Sequence, residues 1–164
     1  MGWVTLSLRK MVLTQRVSEL EHRLTQLSQS QQTLANSSAY TERFIGLEKQ
    51  QAYSSLTSEY SESLTNVSGI FSNSTTQAAD PATLAQYMAE MQQSQIDYMY
   101  NKMVVDSVFT QREQALQDEV NEKQTYIQLE QEQVETQLEA ARAELEALDE
   151  AISSDIKQST ISLV

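Results

Sequence analysis

The only histidine, His22, stands three residues after Glu19, and Glu-x-x-His on a helix is the spacing with which four-helix bundles hold paired metal ions. Such a centre needs a second copy of the motif and further inward carboxylates, which a chain with 1 His does not supply. His22 therefore reads as a surface residue on a helix flank. A larger store of oxygen ligands runs through Glu130, Glu132, Glu135, Glu139, Glu144, Glu146, Asp149 and Glu150. Calcium or magnesium requires carboxylates converging on a turn or cavity. These are spread around a helix, so they read as a solvated face with pairs such as Arg142 and Glu146 four residues apart. Tyr98, Tyr100 and Tyr126, with the methionines, read as contact surface rather than a cofactor pocket. No catalytic residue, cofactor or metal site is expected.

The remaining catalytic classes fail on composition. With 3 Gly in the chain, no phosphate loop, nucleophile elbow or dinucleotide fingerprint is available. Zero Cys removes thiol catalysis, zinc-thiolate sites and disulfides. A net charge of -12 argues against a nucleic-acid partner, because neutralising phosphates needs a basic face. The charge is uneven. Through residue 50, Arg9, Lys10, Arg16, Arg23, Arg43 and Lys49 outnumber Glu19, Glu21, Glu42 and Glu48, so the acidic excess lies later. Head and tail segments are therefore able to attract one another, within one molecule or between copies.

What must position these residues is helix. The 3 Gly, 1 Pro and 7% aromatic residues leave too few turn formers for a β or α/β fold. Arg112 to Ile152 carries Leu116, Val120, Ile127, Val134, Leu138, Ala141, Leu145, Leu148 and Ile152, largely at four- and three-residue steps. That is the apolar stripe of a long helix lying against others. Leu13, Val17, Leu20, Leu24, Leu27 and, after Gln31, Leu34 repeat the pattern near the N-terminus. Asn36-Ser37-Ser38 predicts a kink or short break, giving N-terminal helices over about 4–35 and 39–66. Gly46, inside the second, predicts a close helix contact. Residues 68–80 predict a loop on which Ile70 and Phe71 tuck back onto the helices. Asp80-Pro81 then predicts a helix start, and a C-terminal helix over about 82–156.

The first part of that helix carries Leu84, Met88, Met91, Tyr98, Met99, Met103, Val105, Val108 and Phe109, a broader and softer face than a two-helix stripe needs. At the other end of the chain, Trp3, Val4, Leu6 and Leu8 read as the start of a docked helix. Arg9 and Lys10 interrupt this run and no small-residue cleavage site follows, which argues against a secretory signal peptide. Synthesis in the cytoplasm is expected, with export to a cell surface or incorporation into a virion both compatible. No apolar run reaches the roughly 20 residues of a membrane span.

These elements predict an all-α chain, an elongated antiparallel helical hairpin or coiled coil. It forms one domain over 1–164: an N-terminal limb (1–67), a loop (68–80) and a C-terminal limb (81–164). Apolar-seamed terminal helices, a polar loop between them and the absence of Cys give a layout that resembles bacterial flagellin-like and type III secretion filament or needle subunits. The resemblance implies self-assembly through the terminal helices. The expected function is a non-enzymatic structural subunit, forming a filament or a virion-related array. Trp3, Leu6, Leu13, Val17, Leu20, Leu24 and Leu27 would pack with Leu138, Leu145, Leu148 and Ile152. Met88, Met91, Tyr98, Met99, Val105 and Phe109 would bind neighbouring subunits. The alternatives are a discrete coiled-coil adaptor or chaperone-like oligomer holding another helical protein, and a membrane-surface coat protein touching lipid through residues 1–12.

Overall fold

The computed structural model describes the backbone of residues 2–74 and 80–161 and the side chains of residues 4–69 and 80–158. It shows two helices, α1 (Gly2–Ser74) and α2 (Pro81–Ile161), and no strand among the described residues. The fold is an all-α helical hairpin. Asp80 and Pro81 start α2 as the sequence predicts: the Asp80 carbonyl accepts from the amides of Thr83 at 2.9 Å and Leu84 at 3.2 Å. Proline at the first helical position gives up an amide that has no intrahelical partner.

Three expectations are corrected. The break at Asn36–Ser38 does not occur, and α1 runs through it. The hydroxyl of Ser37 donates to the Leu34 carbonyl at 3.0 Å, and Thr14, Thr25, Thr33 and Thr57 likewise donate one turn back to Lys10, Glu21, Gln29 and Tyr53. Polar side chains that would compete for backbone groups in a loop are thus absorbed by the helix itself. Residues 68–74 are helical rather than loop; residues 75–79 and the side chains of Ile70 and Phe71 lie outside the described residues. Gly46 marks no close contact, since a Cβ there would meet nothing within 4 Å.

The chain divides into two compact units, unit 1 comprising Met1–Ser37 with Val120–Val164, and unit 2 comprising Ser38–Glu119. Within unit 1, the less exposed positions of α1 include Leu6, Lys10, Leu13, Val17, Leu20, Leu24, Leu27, Gln31 and Leu34, at steps of four and three, with Ser7 beside the first. On α2 they include Val120, Ile127, Val134, Ala141 and Leu148, with Gln131, Leu138, Leu145 and Ile152 as the second row. Both helices therefore bury a seven-residue repeat. Leu13, Leu27, Val134, Leu138, Ala141 and Leu148 form its buried centre.

Unit 2 buries a different repeat. On α2, Thr83, Ser94, Val105 and Leu116 form one row and Tyr87, Tyr98 and Phe109 another, each at eleven-residue spacing. On α1, Ile45, Leu56 and Val67 repeat at eleven, as do Ser38, Lys49 and Tyr60. Eleven residues make three turns at 3.67 residues each, slightly looser than the 3.6 of a straight helix. Seven make two turns at 3.5, slightly tighter. The first pattern favours right-handed winding of a helix pair and the second left-handed winding. The repeat changes close to where one unit gives way to the other.

Candidate interaction surface

Opposite charges face one another across the two helices and mark their register. In unit 1, Arg9 pairs with Glu144 and Arg23 with Glu130, so the α2 partner falls one residue for each residue gained on α1. Lys10 and Asp149 approach to 2.5 Å, and Arg142 reaches Glu21 at 2.6 Å. The basic N-terminal stretch and the acidic C-terminal one thus meet within a single chain. Arg142 reaches across to α1 rather than along its own helix to Glu146. Arg23 is raised above the ordinary guanidinium value, chiefly by its hydrogen bond to Glu130 and then by that carboxylate's charge. Arg9 and Lys10, which a membrane-contacting segment would present to anionic lipid, are occupied by Glu144 and Asp149.

Unit 2 is joined by mixed polar and aromatic contacts. Tyr60 stacks on Tyr98 with ring centroids 4.6 Å apart, and the hydroxyls of Ser63 and Ser94 lie 2.8 Å apart. Arg112 donates to Glu48 at 2.9 Å while its guanidinium lies 5.7 Å from the Phe109 ring. Tyr53 donates to Asp106. This bond, with lesser effects of desolvation and of Asp106's charge, pushes the Tyr53 phenol up to about 12.

The structure distributes the sequence-predicted contact residues over distinct places. Leu13 and Leu27 with Leu138 and Leu148 are buried in unit 1, and Leu6, Val17, Leu20, Leu24, Leu145 and Ile152 are half-buried beside them. The side chain of Trp3 lies outside the described residues. The Met/Tyr face separates into inner and outer positions. Phe109 is buried and Tyr98 and Val105 half-buried between the helices of unit 2, whereas Met88, Met91 and Met99 are exposed.

Met88, Met91 and Met99 have company. Leu84, Ile96, Tyr100, Met103, Val104 and Val108 are exposed on the same helix, and Tyr40, Phe44 and Leu47 on α1 of the same unit. On α2 they make two rows, with Met103 between them. One passes through Leu84, Met88, Met91 and Met99, each one residue past an inner position. The other is Ile96, Tyr100, Val104 and Val108 at steps of four, roughly a third of a turn further round. Between Pro81 and Gln111 only Glu90, Asp97, Lys102 and Asp106 are charged. The Ile96 row is hard to find in the sequence because the outer rows are at least as apolar as the inner ones, which include Thr83 and Ser94. Only the eleven-residue burial repeat tells them apart.

His22 lies on the exposed surface beside Gln26, 3.1 Å from it. Among the described residues, no three His, Asp or Glu side chains are grouped to hold a metal ion, and no helix is long and apolar enough to cross a membrane. Glu130, Glu144 and Asp149 are spent on the ion pairs of unit 1. The grooves between the helices are open to solvent, one lined by Val17, Arg142, Leu145 and Asp149 and another by Leu56, Tyr60, Ser94 and Tyr98. The chain matches no protein-family profile, no curated protein and no solved structure.

Proposed function

We propose that this protein is a non-enzymatic structural subunit that self-assembles, building a filament or comparable array through unit 2. The carrying observation is the apolar exterior of α2, where Leu84, Met88, Met91, Ile96, Met99, Tyr100, Met103, Val104 and Val108 are all exposed. At their fractional exposures they present on the order of 1,000 Å² of surface. Shared between two sides of the helix, this is roughly 400–500 Å² for each row, so a single row matches a typical monomer's largest apolar patch and only both together reach the roughly 800 Å² per partner of a standard interface. Two rows on different sides of one helix suit a subunit with more than one neighbour. Contacts of that kind generate arrays rather than closed pairs. The low charge of this stretch lets copies meet there despite a net charge of -12. The resemblance in layout to flagellin-like and type III secretion filament subunits points the same way.

Sedimentation over a concentration series, with negative-stain imaging of the concentrated protein, tests this. Growth of ordered polymers supports it. A species that stays monomeric at the highest soluble concentration overturns it. A discrete adaptor is the second reading, favoured by the exposed row Glu132, Glu135, Glu139, Glu146 and Glu150 on unit 1. It requires a basic helical partner whose binding is lost when these five become Gln.

A further inference from the structure

The Leu84–Met99 row has a spacing that says how a neighbouring copy would lie on it. Its members, including the two exposed polar residues that continue it, are Leu84, Met88, Met91, Gln95, Met99 and Lys102. Counted outward from Gln95, the row meets Met91 and Met99 four residues away, then Met88 and Lys102 seven residues away. Out to seven residues the spacing is the same in both directions; at eleven, Leu84 has as its counterpart Asp106, which is engaged by Tyr53 and Lys49. Each member directly follows a position of the eleven-residue inner repeat or its continuation, so the row stays on one side of α2 without drifting.

Resting on the assembly reading above, we propose that α2 of unit 2 pairs antiparallel with α2 of a second copy across a two-fold axis at Gln95. A two-fold axis there sets Met91 against the partner's Met99 and Met99 against the partner's Met91, so four thioethers fill the centre of the contact. Methionine suits such a junction because its unbranched side chain adapts to whatever gap two helices leave. Met88 meets the partner's Lys102, whose aliphatic stem covers the thioether while its ammonium stays in water.

Gln95 meets its own counterpart on the axis. A carboxamide carries both donors and acceptors, so two of them related by a two-fold exchange a reciprocal pair of hydrogen bonds. One polar residue within an apolar contact fixes register and orientation, because any slip leaves it buried without a partner. The charges agree with this placement. Acidic residues crowd the chain from Glu113 onward, whereas between Leu84 and Lys102 only Glu90, Asp97 and Lys102 are charged. Two copies overlapping here in opposite directions keep Glu113, Asp118 and Glu119 of each on opposite sides of the axis.

The chain has no cysteine, so single introduced thiols report proximity without interference. Under mild oxidation, full-length Gln95→Cys should form a disulfide-linked dimer at least about tenfold faster than Ser58→Cys, on the polar outer side of α1 among Ser54, Ser61 and Glu62. Met91→Glu with Met99→Glu should weaken self-association by roughly a hundredfold, as expected for charging the centre of an interface, with far-UV helicity unchanged. Equal crosslinking at positions 95 and 58 in a protein that still self-associates overturns the two-fold contact and leaves self-assembly standing. A wild-type chain that sediments only as a monomer overturns both.

Discussion

Tyr53 on α1 donates its phenolic proton to Asp106 on α2, and the Lys49 ammonium lies 3.7 Å from the same carboxylate oxygen. One carboxylate thus ties two residues of the facing helix at a point where the inner row of α1 is polar rather than apolar. The bond exists only while the phenol keeps its proton.

That dependence sets a pH window. The Tyr53 phenol is raised from its ordinary 10.0 to about 12, first by the hydrogen bond to Asp106. Because the folded value lies above the unfolded one, the bond's stabilisation is fully present below about pH 10 and is lost as pH rises through about 12. Ultraviolet titration of the tyrosines should show a late phenol ionising near pH 12, and Tyr53→Phe should remove that late step. A Tyr53→Phe chain that retains the late phenol would assign it elsewhere.

Gly46 lies in the middle of α1, exposed, with open space where a side chain would begin. Gly46→Ala should therefore stabilise the protein by about 1 kcal/mol through helix propensity alone. Thermal unfolding reports this as a higher Tm. A lower Tm would mean that Gly46 makes a contact in the assembled state that a methyl group obstructs.

The buried leucines of unit 1 should dominate its stability. Leu27 and Leu138 are each 7% exposed, whereas Leu47 in unit 2 is 64% exposed. Leu27→Ala or Leu138→Ala should cost about 2–4 kcal/mol, and Leu47→Ala less than about 0.5 kcal/mol in the dissociated chain. Denaturant unfolding at low protein concentration separates the two classes. Equal losses at all three positions would contradict the burial pattern.

The pairing of Arg9 with Glu144 sets an antiparallel register that charge reversal tests. Arg9→Glu should lower Tm, and adding Glu144→Arg should recover most of the loss, with both effects shrinking in high salt because the pair is exposed. A double variant no more stable than Arg9→Glu would place the two residues apart.

Helix content, the Asp80-Pro81 start of α2 and the stripes Leu13–Leu27 and Val134–Leu148 were legible in the sequence, because a seven-residue apolar repeat admits only one burying face. The continuity of α1 through Asn36–Ser38 was not, because Ser37 is a helix breaker or a helix member according to where its hydroxyl donates. Nor was the buried face of unit 2. Lys49, Ser63 and Ser94 occupy partly buried positions while Met88, Met99 and Tyr100 are exposed, the reverse of what hydrophobicity would assign. Sequence alone determined that this chain is helical and acidic, with two long segments built to lie against helices. Only the tertiary structure decided which apolar residues close the hairpin and which remain outside. Burial depends on the angle each residue reaches after many turns, and a change from seven- to eleven-residue repeats moves that angle while leaving composition untouched.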